Sequence, residues 1–205
     1  MAYKPILFNT EMVRAILEGR KSQTRRLLKP KYRPEEDGFQ IITNANTGKF
    51  VRVEYCDEYG NETRWMAPPC EVGDILWVRE TWHKDAGRYM YKANYADGEK
   101  FYRNGKEVTL RWCPSIHMPK EAARIFLRVN DVRVEKLNDL LDHAGEVAKE
   151  GIPYSDEGDI EASGLRFKEL WESTIKPADR DVYGWYANPW VWVIEFERVE
   201  KPKGW

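Results

Sequence analysis

The residues best placed for chemistry lie near the start of the chain. After Glu18, the stretch Glu18–Arg33 ("EGRKSQTRRLLKPKYR") carries seven cations and meets no acid until Glu35. A lysine (Lys21), a serine (Ser22) and a threonine (Thr24) follow Gly19 closely. A lysine works as a base only if its pKa falls from about 10.4 toward neutrality. Burial and neighbouring cations both push it down, and Arg20, Arg25 and Arg26 are within sequence reach. A deprotonated amine beside a hydroxyl makes a nucleophile, with Lys21 as the base and Thr24 as the attacking group. From spacing alone, three readings stay open: a solvated basic turn, an anion clamp using Arg25 and Arg26, or the rim of an active site.

Two acids extend this list. Glu150 precedes Gly151 at the expected end of a helix, where the negative end of the helix dipole mildly disfavours ionisation and suits a proton donor. A solvated helix-end glutamate is the plainer alternative. Glu80 shares a strand face with Leu76, Val78 and Trp82, so it should meet a cation or frame a pocket. Sequence leaves open whether Glu150 or Glu80 is the pocket acid. Metal ligation finds little support: His83, His117 and His143 are scattered, and Cys113 with His117 supplies only two ligands. No Gly-rich nucleotide loop and no Gly-x-Ser-x-Gly elbow is present. We therefore expect no metal and no cofactor.

These groups need elements to hold them. "KPILF" reads as a first strand, followed by a helix with Asn9 or Thr10 as N-cap, an apolar stripe of Met12, Val13, Ile16 and Leu17, and Gly19 closing it. "TRRLL" reads as extended, with Thr24 at its start. Gly73–Trp82 is a strand whose alternation puts Leu76, Val78, Glu80 and Trp82 on one side and Ile75, Trp77, Arg79 and Thr81 on the other. Ala123–Leu137 is a long strand bent at Asn130-Asp131. "NDLLDHAGEVAKEG" reads as one helix with Leu140, Ala144, Val147 and Ala148 inward. "LRFKELWESTI" is another, with Phe167, Leu170, Trp171 and Ile175 at helical spacing. Trp190–Val199 is a closing strand with Trp190, Trp192, Ile194 and Phe196 on one face. Strands that arrive singly, broken by helices and long loops, predict an α+β fold built on a small mixed β-barrel and not a doubly wound sheet.

The bulk properties fit one domain over residues 1–205, with polar, turn-rich insertions at 31–69 and 84–113. The first insertion surrounds "FQII" and "KFVRVEYC", which read as a hairpin. Hydrophobic residues are 42% and aromatics 13%, including nine Trp, a globular profile. The net charge is −1, which argues against a nonspecific nucleic-acid coat. Seven of the 33 cations sit in the opening stretch, leaving 26 against 34 acids elsewhere, so the positive charge is local. Three cysteines (Cys56, Cys70, Cys113) without paired spacing, no signal pattern and no membrane-length apolar run lead us to expect a cytoplasmic protein.

The ordered motifs "ILEGRKSQTRRLLKP", "VGDILWVRETW", "HMPKEAARIFLRVNDVRVEKL", "AKEGI", "FKELWESTI" and "WVWVIEFERV" resemble those of ASCH domains, particularly the larger versions from phages and prophages. The resemblance implies a PUA-like barrel with flanking helices and a pocket directed at RNA or nucleosides. Small members include N4-acetylcytidine amidohydrolases, whose Gly-Arg-Lys-Thr-x-Thr signature falls here on Gly19-Arg20-Lys21-Ser22-Gln23-Thr24. Ser22 replaces its first threonine. The resemblance implies Lys21 as base, Thr24 as nucleophile and Glu150 as proton donor. Arg20, Arg25, Arg26, Glu80, Trp77 and Trp82 are candidate substrate contacts beside them, with Arg26 sharing Thr24's strand face and able to neutralise an oxyanion, and with Trp112 a further surface for stacking on a base. Other ASCH relatives bind or cleave RNA, so a non-catalytic RNA-binding module and a phage interaction factor are the competing readings.

Overall fold

The computed structural model describes residues 1–28, 39–46, 50–56, 59, 62–143, 145–152 and 160–205. The chain opens with β1 (Tyr3–Leu7), α1 (Thr10–Leu17) and β2 (Gln23–Leu27). Asn9 caps α1 by accepting the Met12 amide at 2.8 Å, and Gly19 takes the left-handed backbone (φ +75°) that turns the chain out of the helix. Next come β3 (Phe39–Thr43), β4 (Phe50–Cys56) and β5 (Glu62–Met66), which form a separate three-stranded antiparallel sheet. The hairpin read around "FQII" is thus joined by a third strand, "ETRWM".

The main sheet has five strands in the order β1-β6-β11-β12-β2, using β6 (Ile75–Arg79), β11 (Phe126–Lys136) and β12 (Trp190–Val199). Only the β1–β6 pair is parallel. The fold is therefore α+β. The edge strands β1 and β2 do not pair in a closed barrel among the described residues. The sheet nevertheless brings its two edges within side-chain reach, since Arg26 of β2 donates from Nη2 to the Leu7 carbonyl of β1 at 2.6 Å. Between β6 and β11 lie two hairpins, β7 (Trp82–Asp85) with β8 (Arg88–Tyr91) and β9 (Phe101–Arg103) with β10 (Lys106–Val108).

The bend expected at Asn130-Asp131 is a bulge: the β11–β12 register shifts between Val129 and Asp131. One extra residue there moves the inward face from odd to even positions. Leu127 and Val129 before it, and Val132 and Val134 after it, all join the same core with Trp192, Ile194 and Phe196 of β12. That core also takes Val13 and Ile16 of α1 and Leu76 and Val78 of β6. The other side of β12, Val191 and Val193, packs on Phe167, Trp171 and Ile175. Phe167 and Trp171 belong to α3 (Ile160–Thr174), and Ile175 follows its end. Strand β6 is likewise buried on both faces, with Ile75 in a third cluster beside Met118 and Phe126. It ends at Arg79, three residues short of the Gly73–Trp82 reading.

The single helix expected over 138–151 is two pieces. A 3-10 turn covers Leu137–Leu141, and α2 (Glu146–Lys149) is one turn long. Gly145 separates them with φ +91°, a conformation outside the helical region. Leu140 and Val147 are buried as expected, Ala148 is half-buried, and Ala144 lies outside the described residues. A further one-turn helix, α4 (Arg180–Tyr183), precedes β12. No helix among the described residues is long and apolar enough to cross a membrane.

Candidate functional site

The end of α1 and the end of α2 meet at Lys21. The Arg20 and Lys21 amides both donate to the Ala15 carbonyl (2.9 and 3.1 Å), so the chain folds back on α1 before entering β2. Lys21 then forms an isolated antiparallel bridge with Glu150, and the Ser22 amide donates to the Lys149 carbonyl at 3.0 Å. This bridge needs Gly151. Its φ is +86°, and a Cβ there would stand 2.8 Å from Ala15 Cβ and 3.0 Å from Lys21 Cβ.

The side chains continue what the backbone begins. Lys21 Nζ donates to Glu150 Oε2 and to the Glu150 carbonyl, both at 2.8 Å. Arg25 Nη1 donates to Glu150 Oε1 at 3.0 Å. The side chains of Lys21, Arg25 and Glu150 are 0%, 1% and 3% exposed. Burial is the strongest influence on the Lys21 amine and draws it below the usual lysine range. Arg26 and Arg25 push the same way, while the charge and hydrogen bond of Glu150 oppose them.

Glu150 departs from its sequence reading. It does not end a long helix, so the dipole argument loses its basis: α2 has a single turn, and the local charges are the two cations that occupy both carboxylate oxygens.

A cavity of about 350 Å³ adjoins this pair. Thr24, Arg25, Arg26 and Glu150 form its polar side, and Met12 of α1 with Phe167, Leu170 and Trp171 of α3 form its apolar side. Thr24 is 2% exposed, and its hydroxyl has no hydrogen-bond partner among the described residues. Lys21 lies behind Glu150, does not line the cavity and makes no hydrogen bond to Thr24. The structure thus brings Lys21, Glu150 and Thr24 to one place, with Glu150 between the amine and the space.

The other described cations of the opening stretch each have partners within the protein. Arg20 bonds Glu18 (2.7 Å) and the Gly151 carbonyl (2.7 Å). Arg25 spans three carboxylates: Glu150, Glu135 at 3.0 Å and Glu146 at 3.1 Å. Arg26 holds the Leu7 carbonyl and lies over the Phe8 ring, 5.2 Å from its centroid. Lys29, Lys31 and Arg33 lie outside the described residues.

The remaining candidates sit elsewhere. Glu80 is 1% exposed and takes Arg124 in a two-pronged pair, Nε to Oε1 at 2.8 Å and Nη2 to Oε2 at 2.9 Å. It meets a cation, and it does not line the Thr24 cavity. Trp77 packs against Trp205 with centroids 5.8 Å apart, and Trp82 against Tyr89 at 5.7 Å; neither borders the cavity. Trp112 packs against Tyr95 and Phe101 in the hairpin segment. No group of three or more His, Cys, Asp and Glu side chains among the described residues is placed to hold a metal.

Sequence reasoning missed the support around Arg25. Glu146 accepts from Gln23 Nε2 (2.8 Å), Lys149 (2.8 Å) and Arg25. Burial pushes its carboxyl up, but these hydrogen bonds outweigh that and hold it at about 2. Arg133 of β11 reaches Glu146, Glu135, Asp131 and Glu195. Signals existed: Glu146 and Glu150 are four apart, and Gln23 and Arg25 alternate on one strand face. No protein-family model, curated protein or solved structure matches the chain.

Proposed function

We propose that the protein is an ASCH-type hydrolase that cleaves the acyl amide of a modified nucleoside, with N4-acetylcytidine as the model substrate. The observation that carries this reading is a fully buried Lys21–Glu150 pair beside a cavity lined by Thr24, whose hydroxyl has no hydrogen-bond partner among the described residues. The ordered motifs that resemble ASCH domains support it, and so does the curl that brings Arg26 of β2 to Leu7 of β1, as a PUA-like barrel would require.

The pair holds one mobile proton. Its transfer from Lys21 Nζ to Glu150 Oε2 yields in one step the free amine and the protonated acid that amide hydrolysis needs. Substrate filling the cavity brings Lys21 into contact with the Thr24 hydroxyl, since catalytic hydrogen bonds commonly tighten only in the bound state. Thr24 Oγ1 then bonds to the acyl carbon as its proton passes to Lys21. The carbon–nitrogen bond breaks, and the leaving amine takes the proton from Glu150. Water next attacks the Thr24 ester, releasing the carboxylic acid and restoring the hydroxyl. Donors on the cavity's polar side, Arg26 among them, face the developing oxyanion.

A nucleoside fits better than an RNA strand. Arg20, Arg25 and Arg26 are each bound to internal partners, so a phosphate backbone would have to displace them. The cavity volume lies at the lower end of small-ligand pockets, which run from about 300 to 1,000 Å³. The test is to incubate the protein with N4-acetylcytidine and related acylated nucleosides and follow deacylation by chromatography. Turnover that survives unchanged in Lys21→Met or Thr24→Ala rules the assignment out, and salt-sensitive RNA binding without any product favours the binding-module reading.

A further inference from the structure

We propose that Arg25 is a positioning residue that sets the protonation of Lys21 by acting through Glu150. Its relevance to catalysis rests on the hydrolase reading above; its effect on Lys21 does not.

Arg25 borders the cavity and its Nε has no hydrogen-bond partner among the described residues, but both of its Nη atoms are committed. Nη1 is taken by Glu150, and Nη2 is shared by Glu135 and Glu146. The side chain is 1% exposed, so a ligand phosphate has no free fork to grip. A guanidinium can satisfy carboxylates in several fixed directions at once, which a lysine ammonium on a flexible stem does poorly. Arg25 therefore joins acids from separate elements: Glu150 and Glu146 at the ends of α2, and Glu135 on β11. The charged groups around this centre are Lys21 before β2, Arg26 on β2, Lys149 on α2, Arg133 and Asp131 on β11, and Glu195 on β12. Arg20 stands at the Gly151 carbonyl.

The consequence for Lys21 has a sign. Arg25 occupies Oε1, so Glu150 offers Lys21 one oxygen and only part of its charge. Without Arg25, both oxygens and the full negative charge face Lys21, and the ammonium form gains. Glu146 acts in the opposite sense. It draws on Arg25 from the other side, so neutralising it leaves the guanidinium charge undivided on Glu150. The ammonium form of Lys21 then loses support, and the free amine needed for attack becomes more abundant.

The experiment follows the Lys21 side chain by NMR of lysine-labelled protein across pH, with the resonance assigned by its loss in Lys21→Met. In Arg25→Met the titration midpoint should rise by about one pH unit, the low end of the effect of a nearby charge. In Glu146→Gln it should fall, and Arg25→Lys should lie between wild type and Arg25→Met. Midpoints that coincide in all four proteins, or that move the same way in Arg25→Met and Glu146→Gln, overturn the proposal. If Arg25→Met does not fold, Arg25→Lys and Glu146→Gln still carry the opposite-sign test. The pH at which kcat/KM for N4-acetylcytidine rises should move with the midpoint. Midpoints that move as stated in a protein with no deacylating activity uphold the role of Arg25 and remove the hydrolase reading instead.

Discussion

Replacing Lys21 by methionine should destabilise the fold in a way that replacing Glu150 by glutamine at the same time partly repairs. Lys21 is fully buried and its ammonium makes two 2.8 Å hydrogen bonds, one to a carboxylate that is itself 3% exposed. Removing one member of a buried pair leaves the other charge uncompensated, which costs about 3–5 kcal/mol. Arg25 still holds Oε1 of Glu150 in Lys21→Met, so the loss belongs at the low end, about 3 kcal/mol. Glu150→Gln should cost about as much, because an amide nitrogen must then face one of two buried cationic donors. In the double variant the oxygen of the substituted amide can turn to Arg25 and its nitrogen to the methionine, and no buried charge is stranded at this contact. The double loss should therefore fall short of the sum of the singles by about 2 kcal/mol, within the range known for touching residues. Urea unfolding at neutral pH, followed by tryptophan fluorescence, measures it, provided the four proteins share one m-value. Losses that add to within about 0.5 kcal/mol would refute the claim that these side chains form one buried pair.

Thr24→Ala should lower kcat/KM for N4-acetylcytidine by about 10³-fold or more, in line with loss of a covalent nucleophile, whereas Thr24→Ser should retain turnover; steady-state kinetics check both. Glu80→Gln should destabilise the protein by about 3 kcal/mol in urea unfolding through the stranded Arg124, yet leave kcat/KM unchanged, which separates the two acids that sequence could not rank. Glu146, held at about 2 in the fold against an ordinary 4.5, contributes stability that is fully present above pH 4.5 and is lost as pH falls toward 2. That contribution is about 2 kcal/mol once solvent screening is allowed for, so Glu146→Gln should flatten the stability profile between those pH values. Gly151→Ala should cost about 2–3 kcal/mol, from left-handed backbone and the Ala15 and Lys21 contacts together, and should reduce activity by moving Glu150.

Where local rules act alone, the sequence was readable. Asn9 and Gly19 bound α1 because a cap and a left-handed turn are single-residue properties. The alternation in Trp190–Val199 divided its residues correctly between two cores, because a strand's period does not depend on its neighbours. The bend read at Asn130-Asp131 is the bulge at which the register shifts. The helix over 138–151 was overdrawn: periodicity registers Leu140 and Val147 but not the left-handed Gly145 that interrupts them. Barrel closure depends on how far a sheet curls, which the order of strands along the chain leaves undetermined. At the site, Lys21, Thr24 and Glu150 were legible as types and spacings. The internal partners of the arginines were not legible, because burial is a tertiary property and Arg25 spends its donors on three acids from separate elements. Phe167, Leu170 and Trp171 were read only as core, although the same stripe also walls the cavity.

The most direct measurement is the structure of the Thr24→Ala variant with N4-acetylcytidine bound. The acyl carbonyl should lie in the cavity between β2 and α3, its carbon about 3–3.5 Å from where the Thr24 hydroxyl would sit, with the N4 nitrogen turned toward Glu150. A ligand bound outside that cavity, or inside it with the acyl group directed away from residues 24 and 150, would contradict the account.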